Sequence, residues 1–414
     1  MKSPLRIGSR AMGWWAAAMA AGWMIGLPAL GPQAGAATNV FLTGMPDYSW
    51  SYGCFATAAG NLMGYWDRHG CPGFYTGPTA GGAAPMDNFG PNTGIRSLWA
   101  SEAGFDGRPD GQPGHVDDYW VAYESVAPDP HASAGRAAHA SDCLGDFIGA
   151  SQNRWDDLNG ECRGNIDAHA FVFWDHAGDR RANFTPRGGA GEIIPDIPSG
   201  LRAFTRWRGS QADVFSQLAD FNPAIPPGRG FGFEDLRAEI DAGYPVLLLM
   251  QRFDELYRDL PGFPRANPSG HAMVAYGYYV SDLGERFVRY RTSWASGDQR
   301  FSPWTADWWM PGNLNMPLRG VVGYHPQPRV TGIEIAPPHL TIRWEGPDSE
   351  LHDVDRNQAR RLHAYLLEWS DTVSPARFVE VAGPTFEREL TVELPSAAAA
   401  WFRVRIDSPR QAAH

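Results

Sequence analysis

The sequence predicts an α+β fold: one strong helix near the N-terminus, a later block of strands, and a β-sandwich at the C-terminal end. Three observations carry that expectation. Cys54 to Arg68 is an Ala-rich, apolar run of helical length without proline. From Phe231 onward, apolar segments of strand length follow one another. From Pro328 to Asp407, strand-like runs recur about every 8 to 20 residues between Pro, Gly and Asp. Glycine and proline, 47 and 34 of 414 residues, exceed their usual share without a collagen-like period, which excludes a coiled coil or helical bundle.

Residues 1–36 read as a secretory signal. Lys2, Arg6 and Arg10 give a positive start, Met12 to Leu27 is apolar, Pro28 breaks the run, and Ala34-Gly35-Ala36 offers a cleavage site. No later stretch has the roughly 20 apolar residues that a membrane span needs, so the processed chain is expected to be secreted or periplasmic with no membrane span. Residues 37–327 form one expected unit. Its segment 77–228, rich in Gly, Pro, Asp and Asn, reads as an insertion or a lobe specific to the chain's own family, with short helical runs such as Ser141 to Ser151. Glu234 to Ala242 is a short amphipathic helix stopped at Gly243. Pro245 to Met250, His271 to Tyr279 and Arg286 to Trp294 follow as strands.

The last unit, 328–414, has strand-like runs at Val330–Ile335, Leu340–Trp344, Ala364–Ser370, Phe378–Val381, Arg388–Leu394 and Trp401–Ile406. Their order resembles a fibronectin type III module, and the role it implies is attachment to a cell surface or spacing, since nothing in the unit reads as catalytic.

Charge and composition narrow the chemistry. A net charge of −11 argues against nucleic acid, whose phosphates demand a basic surface. The only lysine is Lys2, which excludes a Ser–Lys dyad, a Schiff-base lysine and a P-loop. No cofactor is expected. Asp156-Asp157-Leu158-Asn159-Gly160 places Trp155 where a calcium loop needs its first ligand, and His169 and His176 have no cysteine at zinc spacing, so no metal is expected. Among the 17 tryptophans, Trp308-Trp309 is the best candidate for a sugar-stacking surface.

The residues that carry chemistry start at Cys54, which follows Gly53 and opens the long helix. A helix N-terminus favours thiolate over thiol, and its unsatisfied N–H groups can hold an oxyanion. A buried cysteine or half a disulfide at a helix start is the competing reading. His271 opens an apolar strand after Gly270, where its imidazole is rigidly placed; His115 competes, but no apolar strand follows it. Cys143 and Cys162 flank a turn-rich polar segment that suits a local disulfide, leaving Cys71 over. The alternative pairing is Cys54–Cys71 with Cys143–Cys162.

Together these residues amount to a family resemblance. Gly53-Cys54-Phe55-Ala56-Thr57-Ala58 at a helix start, the helix and apolar strand of 234–250, and Gly270-His271-Ala272-Met273-Val274 continuing to Gly277-Tyr278 come in one order. That order resembles the bacteriocin-processing (double-glycine leader) peptidase-like branch of the papain-like cysteine peptidases, over residues 40–76 and 228–300. Thr292-Ser293-Trp294 adds a match to the Asn-Ser-Trp of papain-like enzymes.

The resemblance implies a papain-like fold and a Cys54–His271 pair that hydrolyses a peptide or protein substrate, with Trp294 shielding the site. Two positions depart from the family. Tyr48 stands where an oxyanion-hole glutamine is usual, and Thr292 where Asn or Asp orients the imidazole. They motivate a second reading, a non-catalytic secreted binding or adhesion protein with a degenerate site.

Overall fold

The computed structural model describes residues 37–51, 54–75, 82–99, 143–148, 178–187, 191, 193, 196–221, 225–250, 271–294, 299–305, 309–310, 314–315, 317–372, 376–395 and 400–407. The signal segment 1–36, Cys162, the loop at 156–160, His115, His169, His176 and Trp308 lie outside the described residues.

Strand β1 (Thr38–Leu42) leads into helix α1 (Cys54–Arg68). After a 3-10 turn at Gly90–Leu98 come α2 (Leu144–Ile148), β2 (Arg181–Ala182), α3 (Ile197–Trp207) and β3 (Ala212–Leu218). Next are α4 (Phe233–Asp241), β4 (Val246–Met250), β5 (His271–Val280), β6 (Arg286–Arg291) and β7 (Gln299–Pro303). The short pair β8 (Trp309–Met310) and β9 (Leu314–Asn315) precedes β10 (Leu318–Pro326).

The remaining strands are β11 (Arg329–Ala336), β12 (His339–Glu345), β13 (Glu350–Asp353), β14 (Gln358–Arg361), β15 (Tyr365–Ser370), β16 (Val379–Thr385), β17 (Glu389–Glu393) and β18 (Trp401–Ile406).

The main sheet has ten strands in the order β14-β13-β1-β5-β4-β10-β3-β2, with β6 on β5 and β7 on β6. Helix α1 packs on β5 and is buried from Cys54 through Asp67, so it serves as the centre of the core rather than as an amphipathic cover. Small side chains make that burial possible. A Cβ on Gly60 would strike the Trp99 ring, and one on Gly64 would stand 2.6 Å from the Tyr48 hydroxyl. Gly60 and Gly64 are one turn apart, so they form a notch on one helix face. Tyr48 and Trp99 lie in it, stacked with ring centroids 5.1 Å apart.

The structure corrects the expected α+β, papain-like architecture. Of the described residues 41% are strand and 20% helix, with only four α-helices, arranged around several antiparallel sheets. Part of the excess strand comes from segments without a clean period. β3 (Ala-Asp-Val-Phe-Ser-Gln-Leu) and β10, with two glycines and an arginine inside it, read poorly as strands, yet they pair along seven residues beside β4.

The segment 77–228 contributes β2 and β3 to the main sheet. The boundary at 327/328 is also crossed. The β13–β14 hairpin leaves the C-terminal strands and pairs with β1, Val40 opposite Asp353 and Leu42 opposite Leu351. What remains of the C-terminal region is two three-stranded sheets, β11-β12-β17 and β16-β15-β18, closing over Leu340, Ile342, Trp344, Tyr365 and Leu367.

Candidate functional site

The site is centred on the turn Thr292-Ser293-Trp294 that follows β6. Ser293 is in the left-handed region at φ 58°, uncommon for a residue with a Cβ, and this ends the strand at Arg291. The reversal carries the Thr292 carbonyl to the His271 imidazole, whose Nε2 lies 2.6 Å from it. The Trp294 amide turns back to the Thr292 hydroxyl at 3.3 Å. The Trp294 ring lies on the imidazole with centroids 4.2 Å apart and planes 32° from parallel. His271 is thus held on its edge and on its face.

A carbonyl accepts but cannot donate, so Nε2 carries the proton and Nδ1 is the lone-pair nitrogen of the neutral ring. Nδ1 is buried and has no hydrogen-bond partner. Burial pulls the imidazole pKa down to about 4, against the smaller opposing effect of the Thr292 carbonyl. An unsatisfied buried acceptor costs about 1–3 kcal/mol. The fold therefore keeps at His271 a neutral base whose acceptor nitrogen is unoccupied.

The segment that carries Cys54 is bonded to the same turn at two places. Four residues before Cys54, the Trp50 amide donates to the Trp294 carbonyl at 3.1 Å. Two turns along α1, Asn61 Nδ2 reaches Ser293 Oγ at 3.4 Å. The start of α1 and the start of β5 therefore converge on 292–294. Cys54 is a buried thiol, as are Cys71 and Cys143, and no disulfide forms among the described residues. The first turn of α1 carries no acidic side chain to compete with a thiolate for its N–H groups.

The pairing Cys54–Cys71 is ruled out by geometry: the two flank a 15-residue helix, about 22 Å long at 1.5 Å per residue. Burial pushes the Cys71 thiol up to about 12, far from the thiolate form at neutral pH. Cys143 is buried just before α2; its expected partner Cys162 lies outside the described residues.

Two site assignments change. Tyr48 does not reach Cys54: its hydroxyl donates to the Pro85 carbonyl at 2.7 Å beside Gly64, ten residues and about 15 Å down the helix from Cys54. Burial holds its pKa well above the usual phenol value, and with its hydroxyl committed to Pro85 it serves as a buried wedge and not as an oxyanion donor. Thr292 does orient His271, but through its main-chain carbonyl. Its hydroxyl is spent on the Trp294 amide.

The sequence reading missed the residues that fix the lead-in to Cys54. Asn61 Oδ1 accepts from the Tyr48 amide at 2.8 Å, and Asn88 Oδ1 accepts from the Ser49 amide at 3.0 Å while its Nδ2 donates to the Ser49 carbonyl at 2.9 Å. Thr57 Oγ1 accepts from the Ser51 amide at 3.1 Å, and Trp99 Nε1 donates to the Ser51 carbonyl at 3.0 Å. The signal was present in part: Thr57 and Asn61 are polar, four apart, in a helix that is otherwise without charged or amide side chains before Asp67. Asn88 and Trp99 carried none, being loop residues that only the fold brings near.

Among the described residues no group of three or more His, Cys, Asp or Glu could hold a metal ion, and no helix is long and apolar enough to cross a membrane. No family model, no curated protein and no solved structure matches the chain.

Proposed function

We propose that the protein is an exported thiol-dependent hydrolase acting on peptide or amide bonds, with Cys54 as nucleophile and His271 as its base. The observation that carries this reading is the imidazole: Nε2–H is committed to the Thr292 carbonyl, Nδ1 is a buried acceptor without a partner, and the turn that holds the ring also bonds the lead-in to α1 through Trp50. In the proposed cycle Nδ1 takes the Cys54 proton and the thiolate attacks the substrate carbonyl. N–H groups at the start of α1 hold the resulting oxyanion. The imidazolium returns its proton to the leaving amine, and water then releases the acyl group and restores the thiol. The motif order that resembles double-glycine leader peptidases supports the assignment at the level of residues, whereas the papain-like architecture gives it no support. The signal-like segment 1–36 supports export, and the C-terminal strands suit an attachment role.

The test is alkylation of the full chain by iodoacetamide near neutral pH, read as mass on the Cys54 peptide, together with turnover of an unstructured peptide library. Labelling at Cys54 slowed about tenfold or more by His271→Gln, and turnover abolished by Cys54→Ser, are expected. Labelling that His271→Gln leaves unchanged overturns the pair.

A second reading has its own observations in favour. Cys54 and His271 are both buried, and Tyr48 supplies no oxyanion donor. A binding protein built on a silent site is then the alternative, and it is the one left standing if the library is not turned over.

A further inference from the structure

The C-terminal sandwich is closed on only part of its perimeter. In the β11–β12 register Ile333 stands opposite Ile342 and Ile335 opposite Leu340, so all four share the inner face. Ile342 and Leu340 are buried, yet Ile333 and Ile335 are 56% and 62% exposed. The facing sheet meets β11 through β18 but leaves these two side chains uncovered. Its last strand on that side is β18, whose Phe402, Val404 and Ile406 pack against the core but remain partly exposed. One edge of β18 pairs with β15 and the other with no strand among the described residues. A row of backbone donors and acceptors thus borders an inward-facing apolar seam, a combination soluble proteins usually avoid.

The outer face of β18 carries a matching charge signal. Arg403 and Arg405 project there and share one carboxylate, Glu368 on β15, at 2.6 and 2.8 Å. Glu380, the next acid in that row, lies beyond Glu368 on β16. Charge therefore runs from Glu380 and Glu368 to the two guanidiniums on the edge strand, with Asp407 beyond Arg405 at the strand's end.

We propose that β18 accepts an extended segment of a partner protein in which apolar residues alternate with acidic ones. Added antiparallel or parallel to β18, such a strand would satisfy the edge N–H and C=O groups. One set of its side chains would cover Ile333 and Ile335, and the other would lie beside Arg403 and Arg405. This surface is separate from the thiol site and does not rest on its assignment.

The probe is a short synthetic peptide of alternating Val and Glu, capped at both ends, added to the full chain. Binding is read by fluorescence anisotropy, and its location by hydrogen exchange. Binding with new protection of the 401–406 amides is expected. A Val/Lys peptide should bind about tenfold or more weakly, as should the Val/Glu peptide to Ile335→Glu, a substitution at an exposed position that the fold tolerates. Arg403→Glu combined with Arg405→Glu should reverse the Glu-over-Lys preference. Absence of binding, equal affinity for the Glu and Lys peptides, or protection elsewhere than β18 overturns the proposal. So does self-association of the chain that protects β18 without peptide, which would make a second copy the occupant.

Discussion

His271 titrates against its surroundings. Its pKa is lowered from about 6.5 to about 4 because burial penalises the charged ring. Below pH 6.5 the unfolded chain binds a proton at this position that the folded chain refuses. Stability attributable to the neutral ring is therefore complete above that pH and is lost as pH falls from about 6.5 through about 4. His271→Gln removes the titration. The wild-type minus variant difference in urea unfolding free energy should fall on acidification through this window, by at most about 1.4 kcal/mol per pH unit. A flat difference would mean that the ring is not buried neutral.

At the neighbouring position the carbonyl does the orienting, so Thr292→Val should cost only the bond to the Trp294 amide, about 0.5–1.5 kcal/mol of stability. It should leave Cys54 alkylation within about twofold of wild type, since a lost side chain leaves the main-chain acceptor in place. A tenfold fall would put the hydroxyl back in the orienting role. Sequence reasoning reached the right residue here for a side-chain reason. The main-chain role depends on the left-handed Ser293, and nothing in Thr-Ser-Trp announces a reversed backbone.

Among the elements, α1 was the most legible: its residues 54–68 are recognisable from the apolar run alone, as are α4 and the continuous apolar strands β4 and β5. What the run did not reveal is that the helix is enclosed on all sides. That enclosure reverses the usual effect of Gly→Ala in a helix, worth about 1 kcal/mol of gain from propensity. Gly60→Ala drives a methyl into Trp99, and Gly64→Ala drives one into the Tyr48 hydroxyl that donates to Pro85. Overpacking costs about 1–3 kcal/mol, so each variant should unfold at lower urea concentration than wild type, with unchanged slope. A stabilised variant would show that Tyr48 and Trp99 do not fill the notch. β13 and β14 are the opposite case. Short and largely polar, they carry no strand period, and only the edge of β1 gives them a place.

At the scale of the whole molecule, the hairpin makes two regions that differ in texture into one structure. A chain ending at 327 would expose the β1 edge, lose the Val40–Asp353 and Leu42–Leu351 pairings, and lose the Thr43 amide bond to the Glu350 carbonyl. Such a truncation should express as protease-sensitive material with a non-cooperative thermal transition, whereas the full chain should melt cooperatively. A compact, cooperatively melting 37–327 fragment would show that the hairpin is dispensable.

The same pairing sets the order in which the molecule can be made. The Asn39 amide finds its acceptor, Asp355, 316 residues further along, and the other flank of β1 waits for β5. Of the described strands, the first to leave the ribosome is thus among the last to be completed, and contacts of such long range form slowly. A nascent chain of this design stays open through most of its synthesis.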